Sequence, residues 1–381
     1  MQFPNEIQAA LLCDGYVDGL EAMVRTFTQV EEARSGSRFN VPEANPGRFY
    51  RLFGGDELMI TLEYLDYPAD MNVFQQALAS TVTGIVCPDI RQRLMTNRSH
   101  VLINVSHGVL GNAPEIHRFL QEIDYPIEGH SLPKFRRRLD VCALFARIVC
   151  DHAPVQAVHW TQSNQLFPGE AFDALAAMPV PSPLHVHPYL FGQAGTGDEE
   201  ARVGIRTFGM RHFIGREVLI EPNALPWAAN YETILAFLRV ATVDNGYVIP
   251  DGDTFGPEDR SLSYRVIHRD AEPDDVPLYE LVPLMYREYG FVAGDYVPED
   301  RVIDDRSPPV ELMPEGDDEK MVLANEWREK RALAEGLGGQ FEVRARGDAP
   351  LSPPAAPSGS PAPGGPRFGG RPVFGRKQVG R

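Results

Sequence analysis

The chain has 381 residues, 43% of them apolar, which is enough for one large domain or two ordinary ones with a core that needs no staples. The net charge of −17 is unevenly spread: residues 344–381 hold seven basic groups and one acid, so the rest of the chain carries −23. A body this acidic repels phosphate backbones and anionic lipid. This excludes general nucleic-acid or membrane-surface binding by the folded part and leaves at most weak nucleic-acid binding by the basic end.

The opening Met1-Gln2-Phe3-Pro4-Asn5-Glu6 lacks the basic start and apolar run of a secretion signal. No later stretch approaches the ~20 apolar residues of a membrane span, so a cytoplasmic location is expected. Cys13, Cys87, Cys142 and Cys150 show no C-x-x-C spacing and are expected to be reduced core thiols. Cys142 and Cys150 fall on one predicted helix, about 12 Å apart and beyond disulfide reach.

In chain order, a short strand is expected near Ala9 to Cys13, followed by a helix near Val17 to Val30 with Leu20, Met23, Val24 and Phe27 on one face. Ser35 to Pro46 has the composition of a polar loop. Arg48 to Phe53 and Glu57 to Tyr64 flank Gly54-Gly55-Asp56 as a hairpin, and two short helices follow, near Met71 to Ser80 and Pro88 to Met95. His100-Val101-Leu102-Ile103-Asn104-Val105 is a β-branched apolar run suited to an interior strand. The strongest helical period runs from Pro133 to His152 through Leu139, Cys142, Ala143, Ala146, Val149 and Cys150, and Pro154 ends it.

Val155 to Trp160 reads as the next strand and Glu170 to Ala177 as a helix. Leu184-His185-Val186-His187-Pro188-Tyr189-Leu190-Phe191 alternates as a strand would, with His185, His187 and Tyr189 on one face and Pro188 marking an edge. Strands near Val203 to Thr207 and Glu217 to Glu221, a helix from Trp227 to Val243, and strands near Leu262 to His268 and Leu278 to Val282 complete the body.

Mixed elements with short connections predict an α+β fold with mainly antiparallel sheet layers packed by helices. The body is expected over 1–290, with a possible subdomain break near 107–132. An acidic extension with one amphipathic helix over 319–334 spans 291–335, and a Gly/Pro/Ser-rich basic tail expected to be disordered spans 336–381.

No Walker loop, G-x-G-x-x-G, G-x-S-x-G or H-E-x-x-H occurs, so no catalytic residue and no cofactor is assigned. His185 and His187, two apart on a predicted strand, have the spacing to share a metal with His159 or Glu199, but packed histidines are expected and no metal is assigned. Cys150, Asp151 and His152 are sequence neighbours on a helix and so point to different sides. Arg206, Arg211 and His212 around Gly209 form a weaker candidate anion site.

The ligand-binding candidates are His159, Trp160, His185, His187 and Tyr189, because imidazole and aromatic groups together orient a small molecule. The partner-docking candidates are Phe368, Arg371, Phe374, Arg376 and Lys377, aromatic anchors beside cations at the end of a flexible segment.

Four motifs in order, His100 to Val105, Ala157-Val158-His159-Trp160, Thr207-Phe208-Gly209-Met210-Arg211-His212-Phe213 and Gly252-Asp253-Thr254-Phe255-Gly256, resemble the bacterial family called domain of unknown function 4261. The resemblance covers roughly residues 48–283 and implies a bacterial cytoplasmic α+β protein with no assigned catalytic residues. The expected function is a non-enzymatic adaptor that binds another protein through its acidic body or its tail. The alternative is a small-ligand binder or enzyme using the histidine and aromatic cluster.

Overall fold

The computed structural model describes residues 3–296, apart from 55–56, 108–130, 179–180, 194–201, 245–247, 250, 258–260, 272–274 and 295. The acidic extension beyond 296, its expected helix over 319–334, the tail, most of the expected subdomain break and Glu199 therefore lie outside the described residues. Contacts divide the chain into Met1–Val343 and Arg344–Arg381. Everything described belongs to the first unit.

Two mostly antiparallel sheets carry the fold. In the first, β1 (Glu6–Cys13) lies between β5 (Ser99–His107) and β6 (Val155–Trp160). On one side the sheet continues through β4 (Leu58–Leu65) and β3 (Phe49–Gly54) to β2 (Phe39–Asn45), and on the other it ends at β7 (Gln165–Pro168), which leads into the helix α6 (Gly169–Ala176). Alternation assigns the two faces. Ile7, Ala9, Leu11, Val101, Ile103, Val105, Val158 and Trp160 enter the main core, while Leu12 and Ala157 enter a smaller one on the opposite face.

Two long helices cover the main face, α1 (Leu20–Ser35) and α5 (Leu132–His152). Ser131 caps α5 by accepting from the Lys134 amide, and Phe27 stacks on Phe145 at 4.4 Å to join the two helices. Beside that stack Glu31 is wholly buried, and its carboxylate takes hydrogen bonds from Arg137, from Arg34 at 3.2 Å and from Ser35 Oγ at 2.7 Å. Three short helices, α2 (Gln75–Ala79), α3 (Thr81–Val86) and α4 (Ile90–Thr96), lie on the other side, where Phe74, Ala77, Leu78, Ile90 and Leu94 enclose the smaller core.

The second sheet runs β11 (Thr254–Phe255), β12 (Leu262–Arg269), β13 (Leu278–Tyr286), β10 (Glu217–Asn223), β9 (Arg202–Phe208), β8 (His187–Gln193), with β14 (Phe291–Val292) also paired to β13. Among the described residues, β10 and β13 pair in parallel. The helix α9 (Trp227–Arg239) packs Ile234, Phe237 and Leu238 into the same main core, then continues in a π-helical turn, Val240–Asp244. The α+β class expected from the mixed elements is the class observed.

Two expectations are corrected. The polar loop expected over Ser35 to Pro46 contains β2, an edge strand whose side chains are nearly all exposed. Pro42 is accommodated because the register shifts between Asn40 and Glu43, where no ladder donor is required. Likewise, Leu184 to Phe191 is not one strand. Pro183 starts a helical turn, α7 (Ser182–His185), and β8 begins only at His187, so His185 and His187 do not share a strand face.

Candidate functional site

The cluster is built on the loop of residues 161–164, which joins β6 to β7 and is closed by the Trp160–Gln165 pair. Asn164 takes the left-handed conformation (φ 49°) that this tight turn requires, a conformation Asn tolerates better than most residues. The loop is stitched to residues 183–187. Ser163 Oγ donates to the Leu184 carbonyl at 2.7 Å, and Gln165 Nε2 donates to the carbonyls of Pro183 and Leu184, both at 3.1 Å. The five ligand-binding candidates therefore do gather, although they come from two sheets and a helical turn.

The cluster has two halves. In the inner half Trp160 and His185 lie with ring centroids 5.8 Å apart, and Gln162 Nε2 donates toward the carbonyls of His185 (3.3 Å) and Gly209 (3.4 Å) and toward His212 Nδ1 (3.3 Å). Among the described residues His185 Nδ1, Gln162 Oε1 and Trp160 Nε1 are buried without hydrogen-bond partners. Burial pushes the His185 imidazole down to about 3 and His212 to about 4, so both are neutral at pH 7.

The outer half centres on His187. Its Nδ1 faces the carbonyl oxygens of Asn164 (3.1 Å) and Ser163 (3.3 Å). These oxygens can only accept, so Nδ1 carries the proton. Burial lowers His187 to about 4, which leaves Nε2 as a free acceptor, and Ser80 Oγ lies 2.7 Å from it. The Ser80 hydroxyl therefore donates to His187 Nε2. Ser80 precedes α3, and the contact ties that helix to the first residue of β8. Tyr189, two residues along the same strand face, is half-buried and stacks on the His187 ring at 4.3 Å. His159 Nε2 donates to Asn164 Oδ1 at 3.0 Å and meets Phe74 edge-on, and its imidazole is lowered by burial.

Asn164 thus holds two histidines, one by its side chain and one by its carbonyl. Replacing it with Ala removes both the His159 bond and the tolerance for positive φ, and should cost about 1–2 kcal/mol. Asn164→Gly keeps the conformation and should lose less than about 1 kcal/mol. Urea unfolding of the two variants checks the ranking.

A buried carboxylate sets the neighbouring turn. Glu217 accepts from Thr207 Oγ1 (2.7 Å) and from the amides of Gly209 (2.9 Å) and Met210 (3.1 Å). Gly209, at φ 101°, passes so close to the Gln162 side chain and the His185 backbone that a Cβ has no room. This turn leads into α8 (Arg211–Ile214) and places His212 against Gln162.

The candidate anion site is not assembled, because His212 points inward while Arg206 bonds Asp275. The four cysteines are free, and burial raises each thiol, Cys13, Cys87 and Cys150 to about 12 and Cys142 further still. Among the described residues no three His, Cys, Asp or Glu side chains converge as metal ligands do, and no helix is long and apolar enough to cross a membrane.

Phe368, Arg371, Phe374, Arg376 and Lys377 lie outside the described residues. Sequence reasoning missed Ser80, Gln162 and Asn164. The only prior signal among these was the turn-forming Ser163-Asn164 between two strands. Comparisons with protein-family models, with curated proteins and with solved structures return no match.

Proposed function

We propose that the protein acts by binding another protein, as a cytoplasmic adaptor. The observation that carries this reading is a group of solvent-exposed apolar side chains at one end of the first sheet. Ser99 Oγ donates to the Gly15 carbonyl and the neighbouring His100 Nδ1 to the Tyr67 carbonyl, so both loops flank the start of β5. There Tyr16 is 80% and Tyr67 55% exposed, and Met95, just before the turn into β5, is 72% exposed. Exposed Asp14 and Asp18 flank Tyr16 in the chain, and exposed Asp66 and Asp70 flank Tyr67. Aromatic and Met side chains inside a charged rim are the composition of a binding face. The cationic Phe368 to Lys377 segment is the second candidate contact, and the resemblance to domain of unknown function 4261 is proposed on its four motifs.

The test is affinity capture from the native cells with three forms: the full chain, a chain ending at Gly338, and full-length Tyr16→Ser/Tyr67→Ser. A stoichiometric partner held by the full chain and lost from either altered form is the expected result, and the form that loses it identifies the contact. Equal retention by all three, or none by any, overturns the reading.

A second reading, ligand binding or catalysis at the histidine and aromatic cluster, is favoured by one specific observation, the Ser80 hydroxyl 2.7 Å from His187 Nε2.

A further inference from the structure

We propose that Ser80 is a nucleophile toward small carboxylic esters, with His187 as its base and the Asn164 carbonyl as the group that orients the base. The proposal rests on the second reading above, that the cluster is a chemical site, and gives it a residue and a substrate class.

Three observations carry it. The hydroxyl and the base meet at 2.7 Å, within the range in which a hydroxyl proton can pass to imidazole as the oxygen attacks. The base is held in the tautomer the step needs, because two backbone carbonyls fix the proton on Nδ1 and leave Nε2 to receive another. The orienting carbonyl belongs to Asn164, which the tight 161–164 turn holds in the left-handed conformation, so the direction of that carbonyl is fixed. The arrangement is a nucleophile, a base and an orienting group in line, drawn from three separate parts of the chain.

The surroundings set the substrate class. Ser80 and His187 are buried, but Tyr189, half-buried and stacked on the ring, and Ala79 and Thr81, exposed beside Ser80, place the pair one side chain beneath the surface. Phe74, Ala77, Leu78 and Leu166 form the apolar core next to it. A hydroxyl buried this close to apolar side chains favours a small, uncharged ester over a bulky or charged one.

In the proposed step Ser80 Oγ bonds to the ester carbonyl carbon while its proton passes to His187 Nε2. The bond to the leaving alkoxide then breaks, and that oxygen takes the proton. Water releases the acid by the reverse sequence. The imidazolium formed in between lies against the Ser163 and Asn164 carbonyls, which favour the charged ring and oppose the effect of burial.

The probe is an alkyl fluorophosphonate, applied to the folded full-length chain and followed by intact mass and peptide mapping. The expected result is one adduct on Ser80, formed at least tenfold faster than on any other serine and absent from Ser80→Ala. His187→Gln should slow it at least tenfold, and Tyr189→Ala, which uncovers the ring, should speed it. Between pH 8 and 6 the rate should stay level, because a histidine held near 4 remains a base throughout. An adduct on Tyr189 or another cluster residue but not on Ser80 overturns Ser80 as nucleophile and leaves the cluster as a chemical site. No adduct on any cluster residue overturns both.

Discussion

Lowering the pH from 7 to 5 should remove several kcal/mol of folding stability, read as a large fall in the urea midpoint. Burial depresses His185 to about 3 and His187 and His212 to about 4, against an ordinary value near 6.5, and lowers His159 and His100 as well. Between the folded and unfolded values the unfolded chain binds more protons, so stability rises with pH there and is lost as pH falls below about 6.5. Each of the three deeply shifted rings accounts for about 2 kcal/mol between pH 7 and 5, or on the order of 5 together. Glu217, Asp140 and Glu6 run the other way, since burial raises their carboxyls and makes the folded state the better proton binder. They offset part of the loss. A total stability of about 5–15 kcal/mol leaves little in reserve at pH 5. His185→Gln should flatten the pH dependence by about 2 kcal/mol over that window. A midpoint that does not move between pH 7 and 5 would show that these rings are not buried neutral.

Glu217→Ala should be the most damaging single change near the cluster, at about 3 kcal/mol or more. It strands the Gly209 and Met210 amides and the Thr207 hydroxyl without an acceptor in a buried setting, and each stranded donor costs about 1–3 kcal/mol. Glu217→Gln keeps one acceptor oxygen and should cost roughly half as much. Because the same turn presents His212 to Gln162, the Ala variant should also shift the His212 ring resonances in an NMR spectrum. A loss below about 1 kcal/mol would mean that the three donors find other acceptors.

The legible parts of the fold were those with a strong period and one buried face. The 21-residue α5 and the β3–β4 hairpin are of this kind, while β5, with no exposed residue on either face, was legible as a continuous apolar run. β2 was hidden because an edge strand facing solvent keeps polar side chains and a proline, which is also how a loop is composed. The stretch around His185 misled for the opposite reason. Leu184, His185, Val186 and His187 are all buried, so apolar alternation there does not report a solvated face, and the Ser182-Pro183 turn decides the local shape.

The candidate cluster was half legible. Side-chain chemistry picked out His159, Trp160, His185, His187 and Tyr189, which the fold gathers around one loop. Ser80 carried no signal, since it stands 107 residues from His187 in the chain and only the packing of α3 against β8 unites them.

The place of β1 in the first sheet bears on how the chain is made. Its neighbours are β5 and β6, so it leaves the ribosome roughly 90 and then 150 residues ahead of the strands that complete it. At about 5–20 residues per second, a segment containing Ile7, Ala9, Leu11 and Leu12 waits roughly 8–30 seconds with an open ladder edge. During synthesis this nascent segment keeps unpaired backbone groups and apolar side chains uncovered until β5 and β6 emerge.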